Sequence, residues 1–268
     1  MHNAALSELA REDPRFAGWR YHALDVEPGS LRGALDLMGA RGFRGVNLTV
    51  PHKVLAVGMV SSLDPGALEA GAVNTLLREG AGWRGFNTDG YGVAAGVLED
   101  LGIGLKGTPV VILGAGGAAR GVAVECLRAG CAGLWVQNRT RANLDSLLAH
   151  LTPLARGIAV RGIEAGHPPE GFPAGAVVIN ATSAGLKAAD PAPADLSRFA
   201  GVAAVYDMIY NPPLTRLLIQ ARELGIPCAN GLGMLVHQGA KALEIWTGVP
   251  APRTAPVMRA AAAKALGY

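Results

Sequence analysis

Val110-Val111-Ile112-Leu113-Gly114-Ala115-Gly116-Gly117-Ala118-Ala119 is the stretch that decides the fold. A short aliphatic run reads as a buried strand, and a helical pattern over Ala118–Ala129 follows the glycines. The turn between them fits G-x-G-x-x-A. In that pattern the glycines allow a tight bend and let backbone N–H groups approach a pyrophosphate at the helix N-terminus. Gly114, Ala115, Gly116, Gly117 and Ala118 are therefore candidate cofactor residues. A plain strand-to-helix turn is the competing reading, and the flanking sequence decides between them.

Downstream, Leu134-Trp135-Val136 reads as the next strand and Arg141–Leu151 as a helix. Ile158–Arg161, Ala176–Asn180, Val202–Met208 and Pro227–Ala229 are further strands, with a helix at Leu214–Leu224 before the last. Strands separated by helix-length segments imply βαβ units and a parallel sheet with right-handed crossovers. About twenty residues beyond such a glycine loop, an NAD site carries an acidic residue for the ribose 2′-hydroxyl. Here the position reads Gln137-Asn138-Arg139-Thr140-Arg141, with two arginines and no acid. A guanidinium binds a 2′-phosphate, so NADP is the expected cofactor, unless Arg139 and Arg141 merely cap a surface turn. Asn180-Ala181-Thr182-Ser183-Ala184-Gly185 ends the fourth strand, where small and hydroxyl residues suit either a nicotinamide ribose or a helix N-cap.

Upstream the pattern is less regular. Arg20–Val26 and Gly45–Thr49 are predicted strands, with a helix at Ser30–Arg41 between them. Ala72–Arg78 and Trp83–Phe86 predict an antiparallel hairpin, and Tyr91–Leu101 a helix. Leu232–Thr247 and Ala-rich Thr254–Leu266 read as C-terminal helices that return to the first lobe. The fold expected is α/β in two lobes. Residues 1–92 form a discontinuous substrate-binding domain, 93–231 a Rossmann-type doubly wound parallel-sheet NADP domain, and 232–268 the returning helices. A small-molecule site is expected in the cleft between them.

Composition agrees with that class. The chain has 268 residues, half of them hydrophobic and 17% charged, which excludes global disorder. Its net charge of +3 comes with scattered basic residues, 19 Arg and 5 Lys, so no nucleic-acid partner is expected. No apolar run approaches the roughly 20 residues needed to cross a bilayer, and the N-terminus lacks a signal-peptide pattern. Cys126, Cys131 and Cys228 lack metal-ligand spacing. No metal is expected, and reduced thiols point to the cytoplasm. The 37 glycines suit tight turns of nucleotide-binding proteins.

Chemistry is carried by motifs in the first lobe. Asn47-Leu48-Thr49-Val50-Pro51-His52-Lys53 follows a predicted strand, and Gly71-Ala72-Val73-Asn74-Thr75 and Asn87-Thr88-Asp89-Gly90 come after it. A lysine near an aspartate forms a proton-transfer pair, the carboxylate holding the ammonium. Taken with Gly114–Ala118, Asn138–Thr140, Asn180–Ser183, Tyr206-Asp207-Met208-Ile209-Tyr210-Asn211-Pro212 and the Gly231–Gln238 helix start, the set resembles the shikimate dehydrogenase family over essentially the whole chain.

The resemblance implies NADP-dependent, reversible reduction of 3-dehydroshikimate to shikimate, a step of chorismate and aromatic amino-acid biosynthesis. It implies Lys53 as catalytic acid/base with Asp89 as partner. Thr49, Asn74 and Gln238 correspond to ligands of the ring hydroxyls, and Tyr210 to a contact near the carboxylate. Met208 and Gly231 correspond to positions beside the nicotinamide, and Thr182 and Ser183 to the cofactor loop. His52 and His237 match no functional position. Quinate and aminoshikimate dehydrogenases share the architecture, although the two arginines argue against an NAD-linked quinate enzyme. A monomer or homodimer acting on a small molecule is expected.

The family begins with a β-strand and S-x-S-P, whose serines bind the substrate carboxylate, whereas this sequence opens Met1-His2-Asn3. The expectation is that translation starts upstream and Met1 is internal. The alternative is an NADP-binding relative without turnover.

Overall fold

The computed structural model describes residues 1–164 and 172–268. They form two compact units: Met1–Thr88 with Val236–Tyr268, and Asp89–Leu235.

The first unit contains α1 (His2–Glu12), α2 (Leu31–Ala40), β1 (Gly45–Asn47), α3 (His52–Leu55), β2 (Ser62–Leu63), α4 (Pro65–Ala70), β3 (Thr75–Glu79) and β4 (Gly82–Phe86). Its sheet has the order β1-β3-β4-β2. The predicted hairpin is present, with Glu79 opposite Gly82 and Thr75 opposite Phe86. Leu31, Leu35, Leu76 and Trp83 form the core beneath it, and the Trp83 indole N–H donates to the Leu35 carbonyl at 3.2 Å.

Arg20–Val26 is not a strand, contrary to the sequence expectation. Its Tyr, Leu and Val residues are compatible with one, but strands exist only where a backbone ladder forms. Among the described residues β1 pairs with β3 alone. The 20–26 segment reaches β1 by a side chain instead, the Tyr21 hydroxyl lying 3.1 Å from Asn47 Oδ1. Grooves lie along this segment and β1: one of about 310 Å³ lined by Val26, Leu31, Leu35, Met38 and Val46, the other of about 540 Å³ lined by Leu6, Phe43, Leu243 and Trp246.

The second unit contains α5 (Asp89–Leu101), β5 (Pro109–Leu113), α6 (Gly117–Ala129), β6 (Gly133–Asn138), α7 (Arg141–Leu151), β7 (Val160–Glu164), β8 (Ala176–Asn180), β9 (Val202–Asp207), α8 (Arg216–Glu223) and β10 (Cys228–Ala229). The strands are parallel in the order β10-β9-β8-β5-β6-β7. This is the doubly wound arrangement, with chain direction across the sheet reversing between β5 and β8. Alternate residues of β5 explain it. Val110 and Ile112 pack into one apolar cluster with α6, while Val111 and Leu113 enter another with Leu217 and Leu218. A strand buried on both faces needs helices on both sides, and each fully buried Leu or Ile contributes roughly 1.5–3 kcal/mol.

α9 (Leu232–Thr247) starts in the second unit and belongs to the first from Val236 onward. α10 (Ala251–Leu266) begins three residues before the sequence expectation. Pro252 lies in its first turn, where a missing N–H leaves no hydrogen bond unmade. No described helix is long and apolar enough to cross a membrane.

Candidate functional site

In the first unit, backbone pairing gathers motifs that are distant in sequence. β1 runs antiparallel to β3, placing Asn47 opposite Thr75. The Leu48 N–H donates to the Asn74 carbonyl at 2.8 Å, and the Asn47 amide donates to Thr75 Oγ1 at 3.0 Å. α3 is tied to the same segment, because the Val73 N–H donates to the Lys53 carbonyl at 2.8 Å. Lys53 thus stands on a short helix beside the Gly71–Thr75 motif, half-buried. Thr49 accepts at its carbonyl from the His52 N–H, at 2.8 Å, as the chain turns into that helix.

The Asn87–Gly90 motif joins from β4. Asn74 is buried, and its Oδ1 accepts from the Thr88 N–H at 2.8 Å while its Nδ2 donates to Thr88 Oγ1 at 3.0 Å. This clasp fixes the Asn74 carboxamide, and sequence reading did not single out Thr88. Asn87 donates to the Ala72 carbonyl at 3.0 Å. Asp89 follows directly, buried at the start of α5 and counted with the second unit. Gln238 lies on the first-unit part of α9.

In the second unit, a cavity of about 560 Å³ opens at the carboxyl ends of β5, β6 and β8. Gly114, Asn138, Arg139, Thr140, Thr182 and Ser183 line it, together with Gln137, Asn143 and Asp190, which the sequence did not nominate. Gly114 has φ +112°, and a Cβ there would lie 2.9 Å from Thr182 Cγ2 and 3.2 Å from the Ala181 carbonyl oxygen. Glycine at this point keeps the β5 turn against the β8 turn. Gly116 and Gly117 have open space where side chains would stand, and no side chain caps α6. The N–H groups at its start are available to an anionic acceptor. These residues fit a dinucleotide: a glycine turn for phosphates and a basic strand end for the distal ribose.

The two arginines differ. Arg139 lines the cavity. Arg141 is at the start of α7, bound to Asp145 at 2.9 and 3.0 Å and to Glu164 at 3.4 Å. Thr182 and Ser183 lie in a turn, and no helix begins there, so the N-cap reading of that motif does not hold. Instead Asn180 Oδ1 accepts from the Thr182 N–H at 3.0 Å. Met208 and Gly231 are neighbours: a Cβ on Gly231 would meet the Met208 carbonyl oxygen at 2.1 Å. Tyr210 is partly exposed just beyond β9. No group of three or more potential metal ligands occurs among the described residues.

Residues 1–76 match the family described as the shikimate dehydrogenase substrate binding domain. Residues 231–262 match the shikimate 5′-dehydrogenase C-terminal domain. A shikimate dehydrogenase (NADP+) of Symbiobacterium thermophilum is 39% identical over 272 residues, spanning 99% of this chain and 89% of the relative. The chain belongs to the shikimate dehydrogenase family. A second relative of the same name, from Moorella thermoacetica, is 40% identical over 94% of this chain and 84% of its own length. Among solved structures, the Thermus thermophilus shikimate 5-dehydrogenase in complex with NADP(H) and shikimate superposes with a TM-score of 0.78. It is 34% identical, over 96% of this chain and 94% of that one.

Proposed function

We propose that this chain catalyses the reversible, NADPH-dependent reduction of 3-dehydroshikimate to shikimate. The observation that carries the reading is the cavity at the strand ends of the second unit. It joins the Gly114 turn to Arg139, with no carboxylate at the end of β6. Family membership names the reaction class.

Gly114–Ala118 and the α6 N-terminus hold the pyrophosphate, and Asn138, Arg139 and Thr140 hold the distal ribose phosphate. Arg141 is engaged by two carboxylates, so Arg139 carries more of the discrimination between NADP and NAD. Thr182, Ser183, Met208 and Gly231 border the nicotinamide end. When bound, NADPH supplies hydride to the C3 carbonyl carbon.

Lys53, as an ammonium, stabilises the alkoxide that develops on the carbonyl oxygen and gives it a proton. Asp89 is its catalytic partner on the substrate hydroxyl. Thr49, Asn74 and Gln238 bind ring hydroxyls, and Tyr210 lies toward the carboxylate. The activity belongs in the cytoplasm, where Cys126, Cys131 and Cys228, free in the structure, stay reduced.

Initial rates with shikimate and with quinate, each with NADP+ and NAD+, test the assignment. Shikimate with NADP+ is expected to give the highest kcat/KM. Faster turnover of quinate with NAD+ would overturn it.

A further inference from the structure

Asp207 is a fully buried carboxylate to which the proposed chemistry gives no task. It ends β9 in register with Asn180, the last residue of β8. Its Oδ1 accepts from the Asn180 amide at 2.9 Å and from the Ile209 N–H at 3.0 Å. Its Oδ2 accepts from the Thr215 hydroxyl at 2.6 Å, and Thr215 caps α8. One side chain therefore ties together the turn after β8, the Met208–Tyr210 segment and the start of a helix.

The consequence runs through Asn180. The two ends of a carboxamide have nearly the same shape, so hydrogen bonding alone sets which way it faces. A carboxylate accepts only, so Asn180 presents Nδ2 to Asp207, with the Ala184 carbonyl a second, longer acceptor at 3.4 Å, and Oδ1 to the opposite side. There Oδ1 accepts from the Thr182 N–H at 3.0 Å and from the Thr182 hydroxyl at 2.7 Å. Thr182 Oγ1 in turn accepts from the Ala184 N–H at 3.1 Å. Donor and acceptor follow one direction from Asp207 to the wall of the cavity that Thr182 lines.

We infer that Asp207 is a positioning residue for the dinucleotide pocket, acting through the Asn180 carboxamide to place Thr182 and the turn that follows it. The inference rests on the dinucleotide reading of that cavity. Burial pushes the Asp207 carboxyl above its ordinary range, against the pull of its three donors. Burying an ionisable group is unfavourable unless its hydrogen bonds are good, and apolar residues of similar volume often give equal or greater stability. What an apolar residue does not supply is the short acceptor that anchors the Asn180 amide.

The test is NADPH binding by fluorescence titration, with shikimate KM measured at saturating NADP+. Asp207→Ala is expected to raise the NADPH Kd about tenfold, the scale of one lost hydrogen bond to a charged group, and to leave shikimate KM within about twofold. Asp207→Asn keeps an acceptor toward Asn180 and Ile209 and donates to Thr215, so it restores Kd to within about threefold of wild type. Asp207→Ser retains the local turn through its hydroxyl yet is too short for Asn180, and it serves where the alanine variant does not fold.

Thr182→Val added to Asp207→Ala is expected to weaken binding little further, because both changes break one path. Wild-type NADPH affinity in both Asp207→Ala and Asp207→Ser, or fully additive effects with Thr182→Val, would overturn the inference alone. A wild type that ignores NADPH would overturn the dinucleotide reading and this inference with it.

Discussion

Acidification is expected to unfold the first unit earlier than its composition suggests, and His2 is the reason. The imidazole is buried and stacks on Tyr21 at 4.1 Å with an interplanar angle of 7°, and Trp246 lies 5.9 Å away. Its Nε2 is buried, with no hydrogen-bond partner among the described residues. Burial is the main cause that lowers its pKa from 6.5 to about 4, the Gly239 backbone opposing it. The folded state therefore holds His2 neutral where the unfolded chain protonates it. Between about pH 6.5 and 4 the unfolded state binds more protons, so this contribution is complete above 6.5 and is lost as the pH falls toward 4. The gap is equivalent to roughly 3 kcal/mol, a large part of a typical domain's stability.

Urea unfolding of wild type and His2→Phe at several pH values, followed by tryptophan fluorescence, measures it. Trp19, Trp83 and Trp246 lie in the first unit, so the signal reports chiefly on that unit. Phenylalanine keeps a ring on Tyr21 and takes no proton. Wild type is expected to lose roughly 3 kcal/mol relative to the variant on passing from about pH 7 to 4. Parallel pH profiles for the two proteins would refute the reasoning.

Lys53→Ala should cut kcat about a thousandfold, as loss of a general acid does, while leaving the NADPH Kd within about twofold. Its side chain belongs to the first unit and the cavity residues to the second; unchanged turnover would remove Lys53 from catalysis. Arg139→Ala should weaken NADPH about 10- to 100-fold and NADH less than about threefold, read by parallel titrations. Equal losses for both cofactors would refute the phosphate assignment. Gly231→Ala places a methyl 2.1 Å from the Met208 carbonyl oxygen, so the backbone must part. A loss of about 1–3 kcal/mol in denaturant unfolding is expected, together with weaker NADPH binding.

Much of the second unit was legible because its signals are local. β8 at Ala176–Asn180 and α7 at Arg141–Leu151 begin and end where pattern and turn residues say. The first unit was harder to read. A strand at Arg20–Val26 depends on a partner that no periodicity reveals, and in the structure the segment meets β1 through Tyr21 rather than a ladder. α1 was overlooked although Ala5, Leu6 and Leu9 mark its apolar face, and α4 although Asp64 and Pro65 open it. The proline-rich opening of α10 reads as loop, yet its first turn tolerates proline. Arg141 beside Arg139 reads as a second phosphate ligand; only the fold brings Asp145 and Glu164 to it.

Within the motifs, burial separates two kinds of polar residue that look alike in sequence. Thr88, Asn180 and Asp207 are buried, and their polar atoms bond to neighbouring side chains or backbone in short chains of defined direction. Lys53, Thr49, Arg139 and Ser183 are half-buried or exposed. The first group is costly to move, because each change strands a buried donor or acceptor, and so it acts by fixing geometry. The second group retains freedom to exchange water for a ligand. A motif such as N-A-T-S or N-T-D-G therefore mixes residues that touch the ligand with residues that aim them. Substitution separates the two. Replacing an aiming residue by a neighbour that preserves its hydrogen-bond direction should restore function, whereas replacing a contacting residue such as Lys53 with one of similar size but different charge should not.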